Sequence, residues 1–369
     1  MDNFSFSSAN ELKIFLKNEK KSKILVICGK KSYKGAGADK ILDKLLIQEN
    51  TKYYFKKFPY PELKELKQII AEIKIFSPDL IIAVGGGSVL DYAKIANVLV
   101  NNENLNQKIL NSTYKVEKKF AKLVAIPTTA GSGAEVTSNA VIYINKIKYS
   151  VEDEELKPDF FFLIPELVIG ASNEIKSSAG FDAISQALES LISKKSNDES
   201  LSFANKSLKI SLKYYLDFLK RPNYKNTSAM CLAANLSGKA VSISKTTAPH
   251  AISYPFTSIY NISHGHAVSI TLNKFLDFNY KNISKANCQF DLKNRYIMMF
   301  KLTNTKNINE LNNFIQNIKK KARLEDDFKK LNINIKNNYS KIISGVNSLR
   351  LANNPVNISK DDLKNILIQ

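Results

Sequence analysis

The chain has 369 residues, 44% hydrophobic and 24% charged, a balance that excludes a disordered chain, a collagen-like fibre and a disulfide scaffold and leaves room for two domains. Lysine and arginine outnumber aspartate and glutamate 54 to 34, yet only Arg221, Arg295, Arg323 and Arg350 are arginine; base readout and planar phosphate clamps rely on that side chain, so no nucleic-acid partner is expected. No apolar run reaches the length of a membrane span, and the opening MDNFSFSSANELKIFLKNEK lacks the pattern of a secretory leader, which points to a cytoplasmic protein with no membrane partner.

In chain order, the first strand predicted is KILVIC (Lys23 to Cys28), followed by a glycine-containing loop and the helical ADKILDKLLIQ. PELKELKQIIAEIKIF repeats its apolar residues every three or four positions, as a helix lying on a core does. DLIIAVGGGS then runs a continuous apolar strand straight into glycines, and AKLVAIP is a third strand that ends at Pro127 and leads into TTAGSGAE. Short β-branched runs alternating with amphipathic helices indicate parallel strands joined by crossover helices. Beyond about Ser172 long helical periodicities dominate. We therefore expect an α/β domain over residues 1–170 and an all-helical domain over 171–369. Near the C-terminus Asn353, Asn354 and Pro355 read as a turn, and Ser359 with Asp362 reads as a capping box. Cys28, Cys231 and Cys288 are too dispersed for a disulfide framework or a metal knot and read as small apolar residues.

Gly85, Gly86, Gly87 and Ser88 stand between a buried strand and a helix. There the backbone of a glycine run comes close to a phosphate, and the helix N-terminus favours its charge. The alternative for three glycines by themselves is a tight turn without a ligand. A second loop, Thr128 to Gly133, ends the next strand, and two such loops at the carboxyl ends of successive strands converge on the crevice where open α/β sheets bind ligands. All three histidines, His250, His264 and His266, fall within 17 residues. Histidine is the usual metal ligand and proton shuttle, so this clustering points to function.

The segments GGGSVLDYAK (85–94), IPTTAGSGAEVTSNAVI (126–142), GFDAISQALES (180–190), HAISYPFTSIYNISHGHA (250–267) and NNPVNIS (353–359) resemble, in order, the motifs of the iron-containing, or group III, alcohol dehydrogenases. The resemblance implies a dehydroquinate synthase-like fold: a dinucleotide-binding α/β domain with a parallel sheet, a helical domain, and a catalytic divalent metal in the cleft between them. It places Gly86, Gly87, Ser88, Thr128, Thr129 and Ser132 on the cofactor, with Lys148 near its ribose and Asp91 bracing the glycine loop. It assigns Asp182, His250 and His264 to the metal, iron or zinc, with Gln186 where the family has a further histidine. An amide oxygen is a weaker ligand than imidazole, so metal binding with a weak fourth ligand, a different ion and no ion all stay open. On one straight helix His250 and His264 would lie about 21 Å apart. The chain must turn back, and Pro255 with the polar SIYNIS is the expected break.

The implied chemistry is hydride transfer between NADPH or NADH and a carbonyl, with Tyr254 or His266 as the general acid. Lys30 and Lys31 follow the first strand where many NAD-specific relatives carry aspartate, which favours NADPH. Lys245, Thr246 and Thr247 place a cation and two hydroxyls near His250, suited to a phosphonate, phosphate or carboxylate. Together with Gln186 and HGHA this segment looks like the phosphonoacetaldehyde reductase-like branch. The leading expectation is reduction of a small anionic aldehyde, phosphonoacetaldehyde to 2-hydroxyethylphosphonate. The alternatives are a dehydrogenase of short neutral alcohols, a sugar-phosphate lyase or cyclase, and a non-catalytic basic binding protein. Relatives commonly dimerise, which makes a homodimer the expected assembly.

Overall fold

The structure, a computed structural model, describes residues 8–19, 23–46 and 50–368. Parts of two segments read above, the opening MDNFSFSSANELKIFLKNEK (1–7 and 20) and the end of ADKILDKLLIQ (47 and 48), lie outside these residues. The chain divides into two compact units, one of Met1–Ser172 with Asn223–Cys231, the other of Asn173–Pro222 with Leu232–Gln369. Among the described residues no helix is long and apolar enough to cross a membrane.

The first unit is built on a parallel five-stranded sheet. Its strands are β1 (Lys23–Gly29), β2 (Asn50–Lys56), β3 (Leu80–Gly85), β4 (Lys122–Pro127) and, after a separate antiparallel pair β5 (Asn139–Ile144) and β6 (Ile147–Glu152), the short β7 (Phe160–Phe161). The order is β2-β1-β3-β4-β7. The central strands read as unbroken apolar runs because both faces are covered. Leu25, Ile27, Ile81, Ala83, Leu123 and Ala125 pack with the Leu63–Phe76 and Gly87–Val98 helices. Their neighbours Ile24, Val26, Cys28, Ile82, Val84, Val124 and Ile126 pack with Leu12, Leu42, Leu46 and Leu167 in a second cluster. The chain leaves β1 for β2 on one side and returns to β3 on the other. The order therefore reverses between β1 and β3, and such a switch point opens a ligand crevice beyond the carboxyl ends of the strands.

The second unit is helical around the Asn173–Ile192 helix, which is buried throughout from Gly180 to Ile192. The His264–Lys281 helix packs along it and also packs against the Ala248–Tyr260 helix. Pro255 does not break the chain as expected: it lies inside the Ala248–Tyr260 helix. A proline there leaves the carbonyl four residues earlier without its helical partner, and the Asn347 amide takes that place, donating to Ala251 O at 3.4 Å. Gly345 lets this segment close in, since a Cβ on it would stand 3.2 Å from Pro255 Cβ. The reversal comes later, within the expected SIYNIS segment, at Asn261, which ends the helix with φ 55°. The C-terminal capping box forms as read: Asp362 N donates to Ser359 Oγ at 3.1 Å and Ser359 N to Asp362 Oδ2 at 2.9 Å.

Candidate active site

In the first unit β3 ends at Gly85 and the next helix starts at Gly87, with Gly86 in extended conformation at the N-cap and no side chain capping it. The second loop closes onto the first. Thr128 N donates to Gly85 O at 3.1 Å, a Cβ on Gly86 would stand 3.4 Å from Thr129 Oγ1, and one on Gly87 would stand 3.0 Å from Ser132 Oγ. Gly86, Gly87, Ser88, Thr129 and Ser132 are half-buried and Thr128 is buried. Bare backbone at a helix N-terminus, flanked by accessible hydroxyls, fits the phosphates of a dinucleotide.

The lysine closing the first motif ties its helix to the chain that follows the second loop. Lys94 is fully buried, and its Nζ has four acceptors within reach of its three protons: Ala134 O (3.1 Å), Thr137 O (2.7 Å), Thr137 Oγ1 (2.9 Å) and Asn139 O (2.6 Å). Burial pushes the Asp91 carboxyl up to about 6, against the opposing charges of Lys94 and Lys148 and a hydrogen bond from the backbone at Val141. Lys148 is half-buried on β6. Lys30 and Lys31 are exposed directly after β1, on the switch-point side of the sheet.

In the second unit the ligand atoms of Asp182, His250 and His264 all lie within 4.8 Å of one another. Gly265 permits this approach: a Cβ there would sit 2.0 Å from Ser178 O and 2.8 Å from Asp182 Cβ, so only glycine lets the start of the His264–Lys281 helix lie so close to the Asn173–Ile192 helix. His250 Nε2 is 3.2 Å from Asp182 Oδ1, and its Nδ1 is 2.5 Å from Glu189 Oε1. The other Glu189 oxygen accepts from Thr247 N (2.7 Å) and Thr247 Oγ1 (2.8 Å). Burial alone would lower the His250 pKa, but the charge of Glu189 and the hydrogen bonds of both carboxylates outweigh it and raise it to about 10. A carboxylate and two imidazoles converging beneath a second carboxylate form a donor set suited to a divalent transition metal.

Gln186 lies one turn after Asp182, its Nε2 donating to Asp182 Oδ2 at 3.2 Å and its Oε1 accepting from Ser237 Oγ at 2.9 Å. Tyr254 is buried, with its ring centroid 6.0 Å from that of His264. His266 stands outside the three-residue cluster, its Nε2 2.6 Å from Glu325 O. Lys245 is half-buried with φ 58°, and Thr246 is buried. The Asn353 amide lies 2.9 Å from both flanking carbonyls, Ser244 O and Thr246 O. The Thr247 hydroxyl, by contrast, serves Glu189 and so supports His250.

Sequence reasoning gave no site role to Glu189, Gly265, Lys94 or Ser237, and read Asn353 only as part of a turn. Glu189 was within reach, because positions 182, 186 and 189 share one helical face. Asn353 was not, because its partners are more than 100 residues away in sequence.

The iron-containing alcohol dehydrogenase model matches residues 3–165, and the C-terminal model of the Fe-containing alcohol dehydrogenase family matches residues 176–369. A phosphonoacetaldehyde reductase of Streptomyces viridochromogenes is 30% identical over 219 residues, covering 57% of this chain and 55% of that protein. A 1-propanol dehydrogenase of Salmonella typhimurium is 30% identical over 224 residues, covering 60% and 57%. The chain thus spans little more than half the length of these relatives. Among solved structures, a sulfoacetaldehyde reductase from Bifidobacterium kashiwanohense in complex with NAD+ superposes with a TM-score of 0.85 at 24% identity, over 98% of this chain and 94% of that one. Matching models over nearly the whole length, with two glycine loops in one unit and an Asp-His-His cluster in the other, show that the chain belongs to the iron-containing alcohol dehydrogenase family.

Proposed function

We propose that the chain is an NAD(P)H-dependent reductase that converts a small anionic aldehyde to a primary alcohol, with phosphonoacetaldehyde the leading substrate. The observation that carries the reductase reading is the convergence of Asp182, His250 and His264. When bound there, a divalent ion, iron or zinc, supplies Lewis-acid polarisation of the carbonyl oxygen. The reduced nicotinamide supplies the hydride. Gly86, Gly87, Ser88, Thr128, Thr129 and Ser132 hold the cofactor phosphates and ribose, with Lys148 on the ribose side. Lys30 and Lys31 favour a 2′-phosphate and hence NADPH.

Glu189 holds the His250 ring through Nδ1, which directs Nε2 towards Asp182. Tyr254 beside His264 donates the proton to the developing alkoxide; His266, tied to Glu325 O, is the second choice. Lys245 and Thr246 hold the anionic end of the substrate. The 30% identity to a phosphonoacetaldehyde reductase supports this choice. Equal identity to a 1-propanol dehydrogenase supports the second reading, a reductase of short neutral aldehydes.

Steady-state assays with NADPH against phosphonoacetaldehyde, propanal and succinic semialdehyde test the substrate class. Equal rates on all three remove the anionic reading. Elemental analysis, with activity measured before and after chelation, tests the ion.

A further inference from the structure

Ser237 and Gln186 admit two hydrogen-bond arrangements. Ser237 Oγ is 2.9 Å from Gln186 Oε1 and 2.9 Å from Ala234 O, and both are acceptors. A hydroxyl has one proton and serves one of them at a time. With that proton on Gln186 Oε1, the amide turns its NH2 to Asp182 Oδ2, as the 3.2 Å contact records. With the proton on Ala234 O instead, Ser237 faces the amide with a lone pair. The amide then presents its NH2 to Ser237 and its oxygen to Asp182. An oxygen beside a bare carboxylate is repelled, whereas beside a carboxylate that shares a cation it becomes a ligand. Gln186 is 5% exposed and Ser237 0%, so water does not readily stand in for either partner.

We propose that Gln186 is a reversible fourth ligand whose amide turns over when the ion binds, and that Ser237 is the positioning residue that accepts both orientations by moving one proton. The inference rests on the ion assigned above to Asp182, His250 and His264. Coordination through Oε1 draws electron density from the amide and strengthens its N–H as a donor, so Ser237 contributes more to the loaded form than to the free one.

The test is Co(II) binding by chelator-stripped full-length protein, measured by competition with a chromophoric chelator and by the visible absorption of the bound cobalt. Gln186→Leu is expected to weaken binding about tenfold, within the range for groups that orient or complete a metal site, and to lower the absorption intensity as water replaces a protein ligand. Ser237→Ala is expected to weaken binding severalfold, and Ser237→Thr to restore it because the hydroxyl is back. If Gln186→Leu does not fold, the Ser237 pair carries the test. Unchanged affinity and spectrum in Gln186→Leu, or unchanged or tighter binding in Ser237→Ala, overturns the proposal and leaves the ion in place. No Co(II) uptake by the wild-type protein overturns both this proposal and the ion assignment.

Discussion

Glu189 Oε1 lies 2.5 Å from His250 Nδ1 in the interior of the helical unit, and the remaining Glu189 oxygen is taken up by Thr247. Glu189 is fully buried. It therefore acts as a fixed acceptor that sets the orientation and tautomer of the ring. Glu189→Gln is expected to reduce metal affinity by about 10–100-fold, the usual cost of losing such a support. Chelator competition on the purified variant measures this directly, and unaltered affinity would leave Glu189 with a packing role alone.

Gly265→Ala tests the close approach of the two ligand-bearing helices. The added Cβ meets backbone at 2.0 Å, so the helices must separate. Overpacking of this kind destabilises by about 1–3 kcal/mol. The expected outcome is a lower urea midpoint together with substoichiometric metal, read by elemental analysis.

Lys245→Met separates the two substrate readings. A charge-assisted hydrogen bond contributes about 1.5–3 kcal/mol, so its loss should raise KM for phosphonoacetaldehyde by roughly 10–100-fold. Propanal, with no charge to bind, should show a much smaller change. Asn353→Ala should shift KM in the same direction, because the Asn353 amide holds the carbonyls on either side of Lys245.

Lys94→Met removes the cation that gathers the carbonyls of Ala134, Thr137 and Asn139. A buried carbonyl left without its donor costs about 1–3 kcal/mol. We expect a lower melting temperature and loss of the NADPH fluorescence titration, while metal binding by the helical unit persists.

Asp91 gives a pH dependence of defined sign. Its carboxyl titrates near 6 in the folded chain against an ordinary value of 3.8, so the native state holds the proton more tightly than the unfolded state. The stability contributed by this group is present in full below 3.8 and is lost as the pH rises through 6. Asp91→Asn should flatten the fall in melting temperature over this interval, as followed by circular dichroism in matched buffers.

The parts of the fold that were legible are those where burial imposes a simple pattern. β1, β3 and β4 are covered on both faces and wrote themselves as apolar runs. β2 is an edge strand with no fully buried residue, and NTKYYFK has neither an unbroken apolar run nor a polar-apolar alternation by which to be read. The β5–β6 hairpin turns on Asn145 and Lys146, both at positive φ without a glycine to announce it. The ligand set was named through resemblance rather than spacing, because Asp182 and His250 are far apart in sequence. Pro255 misled for a physical reason: a proline breaks a helix only when nothing answers the carbonyl it abandons, and here Asn347 does.

That capture by Asn347, together with the grip of Asn353 on Ser244 O and Thr246 O, means that the frame around His250 closes only when chain made long after it arrives. A nascent polypeptide halted before residue 347 already carries all three donors but lacks the bracing that aims them. We therefore expect the proposed metal site to load only after this segment is translated, and a C-terminally truncated chain to fail to retain the ion.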